Sequence, residues 1–308
     1  MVNVVSFPGL GWEFELNRVA FTLFGKDIYW YGVIIAVGFL LAVSFCLRFM
    51  AHRFGADADK ILDLLFFAVP AAIIGARAYY VIFYLDQYIS AEGKFLWGDA
   101  IAIWDGGLAI YGGLIAAILT TVIYCIVRKQ SFWNYTDTAA YGFLIGQLIG
   151  RWGNFVNVEA FGGVTDVAWR MCSPAIAGYL YYHADAIDLE VYHQIMDGTL
   201  GVHPTFFYES LWNLIGFFLL LLLAKKGRKF DGQIFLSYVA WYGVGRAIIE
   251  GLRTDSLYFF NTGLRTSQLV GIISAVVAIV LMIVRAKTAG PATAPIARAV
   301  KKSKRSEE

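Results

Sequence analysis

The chain is short of charge. Only 16% of its 308 residues are Asp, Glu, Lys or Arg, where a soluble domain carries roughly 25%. It is also short of proline (six), histidine (four) and cysteine (three). So little charge beside a 59% hydrophobic content and a mean hydropathy of +0.61 excludes a soluble enzyme and a disordered chain. Cys46, Cys125 and Cys172 are odd in number and form no C-x-x-C pair, which excludes a disulfide scaffold and a cysteine-rich metal site. The scattered histidines suggest no metal site, and no glycine-rich loop ends in Lys-Ser or Lys-Thr, so no metal and no cofactor is expected. No G-x-S-x-G or H-E-x-x-H element occurs, which weighs against an intramembrane protease. A net charge of +2 gives no reason to expect a nucleic-acid partner.

What is present is apolar length. Seven stretches, 30–49, 61–84, 108–127, 138–155, 205–224, 234–251 and 267–284, are long enough to cross about 30 Å of hydrocarbon at about 1.5 Å per residue. An all-α polytopic membrane protein with seven transmembrane helices follows as the expected fold class. Aromatics at 17% suit bilayer interfaces. No cleaved signal peptide is expected near Met1, because no basic stretch leads into an apolar core.

Sixteen of the 25 Lys and Arg residues fall on one side of these stretches, six on the other, and three inside them. The rich side is read as the cytoplasm, which puts the N-terminus outside and the C-terminus inside. Three regions are expected: an external arm over 1–29 lying at the membrane surface, a catalytic membrane domain over 30–285, and a basic, disordered tail over 286–308. Residues 156–203 make a small external head, with Asp166, Asp185, Asp188, Glu190 and Asp197; a loop of this length is usually functional. Trp30-Tyr31-Gly32 recurs as Trp241-Tyr242-Gly243, too short a match to make a repeat, and the odd number of stretches weighs against a transporter.

The intramembrane charges are the informative residues. Arg77, Arg151 and Arg246 lie within expected spans, where a charge costs at least about 2.5 kcal/mol and faces a cavity or a partner. Arg246, Glu250 and Arg253 are spaced to share one helix face, as are Arg151, Asn154 and Asn157. Gly142, Gly146 and Gly150 form a small-residue face. Gly243 and Gly245 would admit a ligand or a neighbouring helix. Arginine binds phosphate through paired donors, and the abundant anion at that depth is a phospholipid headgroup. A lipid-phosphate site open to the outer leaflet is the expectation; snorkelling arginines are the alternative.

Residues 150–162 read Gly-Arg-Trp-Gly-Asn-Phe-Val-Asn-Val-Glu-Ala-Phe-Gly, which matches all eight fixed positions of G-R-x-G-N-F-x-N-x-E-x-x-G. Trp30-Tyr31-Gly32, Trp104-Asp105-Gly106-Gly107, Tyr111-Gly112-Gly113, His203-Pro204 with Tyr208-Glu209, and Arg246-x-x-x-Glu250-x-x-Arg253 follow in order. Over roughly residues 20–285 the chain resembles the prolipoprotein diacylglyceryl transferases. The resemblance implies a multi-pass enzyme of the bacterial cell (inner) membrane with its active site toward the outer leaflet. Such an enzyme transfers the diacylglyceryl group of phosphatidylglycerol to the lipobox cysteine of a prolipoprotein signal peptide. The bilayer, phosphatidylglycerol and the signal peptide are the implied partners, and a monomer is expected, the oligomeric state being left open.

On this resemblance Arg151 and Arg246 bind the phosphate and stabilise the leaving group, and Glu250 orients Arg246. Asn154 and Glu159 hold the arginines or the headgroup; an interhelical hydrogen bond is the other reading of Asn154. Gly162 permits a tight turn. Tyr31 is either a headgroup donor or an interface aromatic. Arg77 is either a lipid-site residue or half of a structural ion pair. Many members carry a histidine where this chain has Tyr111, so the general base is either Tyr111 or His203, or another group. The nucleophile is the substrate's thiol, and no cysteine of this chain is expected to react.

Overall fold

The computed structural model describes residues 2–90, 92–183, 186–254 and 264–293. Asp185 and the basic residues expected in the tail beyond position 293 lie outside the described residues. The chain divides into two compact units. Met1–Cys46 with Asp137–Thr293 forms one, and Leu47–Thr136 belongs to the other.

The first unit opens with strands β1 (Val2–Phe7), β2 (Trp12–Asn17), β3 (Val19–Leu23) and β4 (Lys26–Tyr29). They pair as two antiparallel hairpins. The purely helical expectation is thereby corrected. Alternation of apolar and polar residues, as in Glu13-Phe14-Glu15-Leu16, is the period of a strand. β4 leads straight into helix α1 (Trp30–Phe45), which continues through a π turn at Cys46–Met50 into α2 (Ala51–Phe54) in the second unit.

The second unit contains α3 (Ala58–Phe83), the short α4 (Trp97–Ile101) and α5 (Ile110–Val127). Asp57 caps α3 by accepting from Asp59 N at 3.0 Å. α3 and α5 meet on small residues: a Cβ placed on Gly75 would lie 2.7 Å from Gly112 O, and one on Gly113 would lie 3.2 Å from Ala72 O. Such backbone-to-backbone approach is how apolar helices associate where water supplies no driving force.

α6 (Phe132–Asn157) runs from the second unit into the first. It is followed by the head: β5 (Val164–Thr165), α7 (Pro174–Tyr182), α8 (Leu189–Met196) and β6 (Gly201–Val202), with β5 and β6 antiparallel. Ser173 and Asp188 cap α7 and α8 through Ala175 N and Val191 N. The head's core joins Val5 and Phe7 of β1 to Phe155, Phe161, Ile176, Leu180, Ile195 and Phe206. Ser6 and Cys172 exchange backbone hydrogen bonds at 2.9 Å. The expected external arm and the head thus share one core.

α9 (Thr205–Lys226), α10 (Gln233–Glu250) and α11 (Thr266–Thr288) complete the unit. α10 packs tightly on α11: a Cβ on Gly271 would approach Gly243 O to 2.8 Å, and the reciprocal approach is 2.5 Å. Gly245 lies under the Trp212 indole of α9. Both glycines therefore admit neighbouring helices. Of the glycine face on α6, Gly142 meets Cys46 and Gly150 meets Ile35, whereas Gly146 faces open space.

The structure is mostly helical. Among the described residues, five long helices are apolar enough to cross a membrane: Trp30–Phe54, Ala58–Phe83, Ile110–Val127, Thr205–Lys226 and Thr266–Thr288. Two further long helices among the described residues are α6 and α10, which carry Arg151 and Arg246.

Candidate active site

Three arginines converge on one carboxylate. Glu209, in the second turn of α9, receives Arg151 from α6 at 2.5 Å, Arg246 from α10 at 3.1 Å and Arg253 from beyond α10 at 3.5 Å. Arg246 also pairs with Glu250 at 2.5 Å, the i,i+4 contact its spacing allows. Glu209 and Glu250 are buried, and the three guanidinium groups are nearly so. Arg265 donates to the backbone carbonyl of Glu250, which ties the start of α11 to the end of α10. Three arginines against Glu209 and Glu250 leave an excess of positive charge in a desolvated setting, where it acts strongly on an anion.

The segment after α6 builds the rim. Asn154 bridges Arg151, at 3.4 Å, to Glu159, at 2.9 Å, and Asn157 adds a second donor to Glu159 at 3.2 Å. Val158 and Ala160 flank Glu159 with φ of +54° and +57°, left-handed values that side chains with a Cβ tolerate at a cost. The turn is therefore made by these two residues and not by Gly162. Gly162 serves close approach: a Cβ there would lie 2.7 Å from the His203 Cβ and 2.9 Å from Leu252 O. Its N–H donates to His203 O at 2.9 Å, and Gly163 N–H donates to Leu252 O at 2.7 Å. Gly162 thus lets the signature turn, the start of α9 and the Arg253 segment meet.

His203 sits on that seam. Its Nδ1 lies 3.1 Å from the Tyr208 hydroxyl, which also accepts from Trp169 Nε1 at 2.7 Å. Burial pushes the imidazole pKa below its ordinary range, so the ring is neutral near pH 7. Burial likewise pushes the Cys172 thiol up to about 11, so Cys172 is a poor nucleophile. Tyr31, at the start of α1, packs its ring on Gly153, where a Cβ would come within 2.8 Å.

Tyr111 and Arg77 belong to the second unit. Tyr111 lies half-exposed in the first turn of α5. Arg77 is buried in α3, and four of its N–H groups donate to the carbonyls of Asp99, Ala100, Gly106 and Gly107 at 2.5 to 2.9 Å. It clamps the 99–107 loop through backbone oxygens, an arrangement that neither reading of Arg77 had included.

The model of the prolipoprotein diacylglyceryl transferases matches residues 18–284. This chain belongs to the prolipoprotein diacylglyceryl transferase family. It is 44% identical over 273 residues to the phosphatidylglycerol–prolipoprotein diacylglyceryl transferase of Oceanobacillus iheyensis, covering 89% of each chain. It is 43% identical to the proteins of the same name from Bacillus velezensis, covering 88% of this chain and 92% of the relative, and Geobacillus kaustophilus, covering 88% and 93%.

Within this transferase the sequence reading identified Arg151, Asn154, Glu159, Arg246 and Glu250, which the fold brings together. It assigned no role to Glu209, the residue on which the arginines converge. A signal was available: Glu209 is the sole acidic residue of its apolar stretch, and a lone carboxylate in such a stretch calls for a cationic partner.

Proposed function

We propose that this chain transfers the diacylglyceryl group of phosphatidylglycerol to the lipobox cysteine of a prolipoprotein, the first step of lipoprotein maturation. The substrate's sulfur attacks the glyceryl carbon that bears the phosphate oxygen. A carbon–sulfur bond forms as the carbon–oxygen bond breaks, and the electron pair leaves with glycerol phosphate. The thiol proton passes to a base. One negative charge on the phosphodiester becomes nearly two on the leaving group, so fixed cations near the leaving oxygen act more strongly in the transition state than in the ground state.

The observation that carries this reading is the surplus of arginine around Glu209 and Glu250. In this proposal Arg151 and Arg246 hold the phosphate, and Glu209 and Glu250 keep both guanidinium groups aimed before the lipid arrives. Asn154 and Glu159 fix Arg151 and the rim; Tyr31 and Gly162 shape the entrance; in the other unit, which holds Tyr111, Arg77 orders the 99–107 loop. His203 is the favoured base, because Tyr208 can hold Nδ1–H and leave Nε2 free to accept a proton. Tyr111 is the second reading.

The seven long helices all cross the bacterial cell (inner) membrane in this reading. α6 and α10 are the shielded pair that dispense with a fully apolar surface. The N-terminus, arm and head lie outside, the C-terminal tail lies in the cytoplasm, the site faces the outer leaflet, and the protein works as a monomer. Purified protein mixed with phosphatidylglycerol and a lipobox peptide should yield a peptide heavier by one diacylglyceryl group. Arg246→Gln should abolish that product while the protein stays folded. Near-normal transfer by this variant would remove Arg246 from the mechanism.

A further inference from the structure

The β3–β4 hairpin ends in a feature that the transfer reaction does not use. Its loop is Phe24-Gly25, with φ of +49° and +75°, the two positive values of a type I′ turn. Asn, Asp or Gly normally takes the first of these positions; a phenylalanine there is strained. Phe24 is nevertheless 97% exposed, in contact with almost nothing. An observed backbone outlier is a reason to look for function.

The register sorts the hairpin into two faces. Phe21 pairs with Ile28 and Leu23 with Lys26, while Thr22 pairs with Asp27 between them. Directly opposed residues share a face and successive residues alternate. One face is therefore Phe21, Leu23 and Ile28, with Lys26 beside them. The other carries Thr22 hydrogen-bonded to Asp27 at 2.7 Å. Phe21 and Leu23 are exposed. β4 passes without a break into α1, and Trp30 N–H donates to Arg18 O at 2.9 Å, which ties the helix start to the sheet. Phe24 lies six residues from Trp30, so it is within about 20 Å of the helix start at about 3.3 Å per residue. Trp30 and Tyr31 at that start are half-exposed aromatics of the kind that mark a bilayer interface.

We infer that the β3–β4 hairpin is a lipid-surface anchor: Phe21, Leu23 and Phe24 enter the headgroup region of the outer leaflet, Lys26 reaches back to lipid phosphate, and Thr22 and Asp27 face water. The inference rests on α1 crossing the membrane as proposed above, and not on the transfer activity.

The test uses thiol labels, because Cys46, Cys125 and Cys172 are all buried. Single variants Phe24→Cys, Leu23→Cys, Thr22→Cys and Leu40→Cys of the full chain carry an environment-sensitive fluorophore in vesicles of phosphatidylcholine and phosphatidylglycerol. Leu40, in α1, is 63% exposed and reports the span. Labels at 24, 23 and 40 should shift to the blue and be quenched by nitroxide lipids, and the label at 22 should not. Phe24→Asn suits the turn better, so it should fold at least as well while moving the label at 23 toward water. Quenching at 40 with water-like emission at 24 and 23 would overturn the anchor and leave the span intact. Water-like emission at 40 as well would overturn both. Equal quenching at 22 and 24 would overturn the two-faced arrangement, and energy transfer between copies without lipid quenching would assign the face to a second copy of this chain.

Discussion

At the scale of single residues, Glu209 gives the arginines their geometry. Guanidinium groups repel one another, and three of them meet here because two carboxylates lie buried among them. Removing one partner of a buried pair costs about 3–5 kcal/mol, because the other charge is left uncompensated. Glu209→Gln should therefore lower the thermal midpoint measurably and slow transfer by more than about 100-fold, the scale of losing one aligned electrostatic contact. A thermal melt and the peptide mass assay on the same preparation read both effects. His203 gives a pH signature with a definite sign. Its folded-state pKa is depressed by burial, so an unfolded chain takes up a proton near pH 6.5 while the folded chain resists until lower pH. The stability it contributes is complete above about pH 6.5 and is lost as the pH falls through the folded value. His203→Gln should flatten part of the acid-side fall in the thermal midpoint. If His203 is the base, the acid limb of the rate profile should disappear with it.

At the scale of elements, α10 owes its start to another helix. Its first residues carry no side-chain cap of their own. Asp137 of α6, fully buried, accepts from Gly232 N and Phe235 N, both at 2.8 Å, and ion-pairs with Arg228. Arg228 also reaches Asp231 at 2.9 Å, and Asp231 takes the Thr293 N–H and hydroxyl. One carboxylate thus caps α10 and fixes it along α6, and those two helices carry Arg246 and Arg151. Arg151 lies fourteen residues further on, about 21 Å along the helix. Asp137→Ala should cost about 3 kcal/mol of stability and reduce transfer severely from that distance. Unchanged turnover in a stably folded Asp137→Ala protein would separate the cap from the site. None of this was legible in the sequence, where Asp137 reads as one more polar residue near the start of α6. Helices 3.6 residues per turn long in apolar character are visible in one dimension; a cap supplied from another helix is not.

At the scale of the whole molecule, charge distribution decides orientation, and a fusion can test it. A fluorescent protein attached after Glu308 should light up in the cytoplasm, and alkaline phosphatase attached there should stay inactive. The opposite pair of results would invert the proposed topology. The sequence by itself determined the membrane class, the helical stretches, the signature and most of the arginine site. Hydropathy and charge are sums over neighbouring residues, and the helical repeat places Arg246 beside Glu250 without any knowledge of tertiary contacts. Only the tertiary structure decided what those residues face. The convergence on Glu209 joins three helices, the Gly162 seam joins the signature turn to His203 and Leu252, and Arg77 spends its donors on loop carbonyls that no spacing rule points to. Each of these depends on the close packing of segments far apart in the chain, and that distance is fixed by side-chain volume and buried hydrogen bonding, which local patterns do not encode.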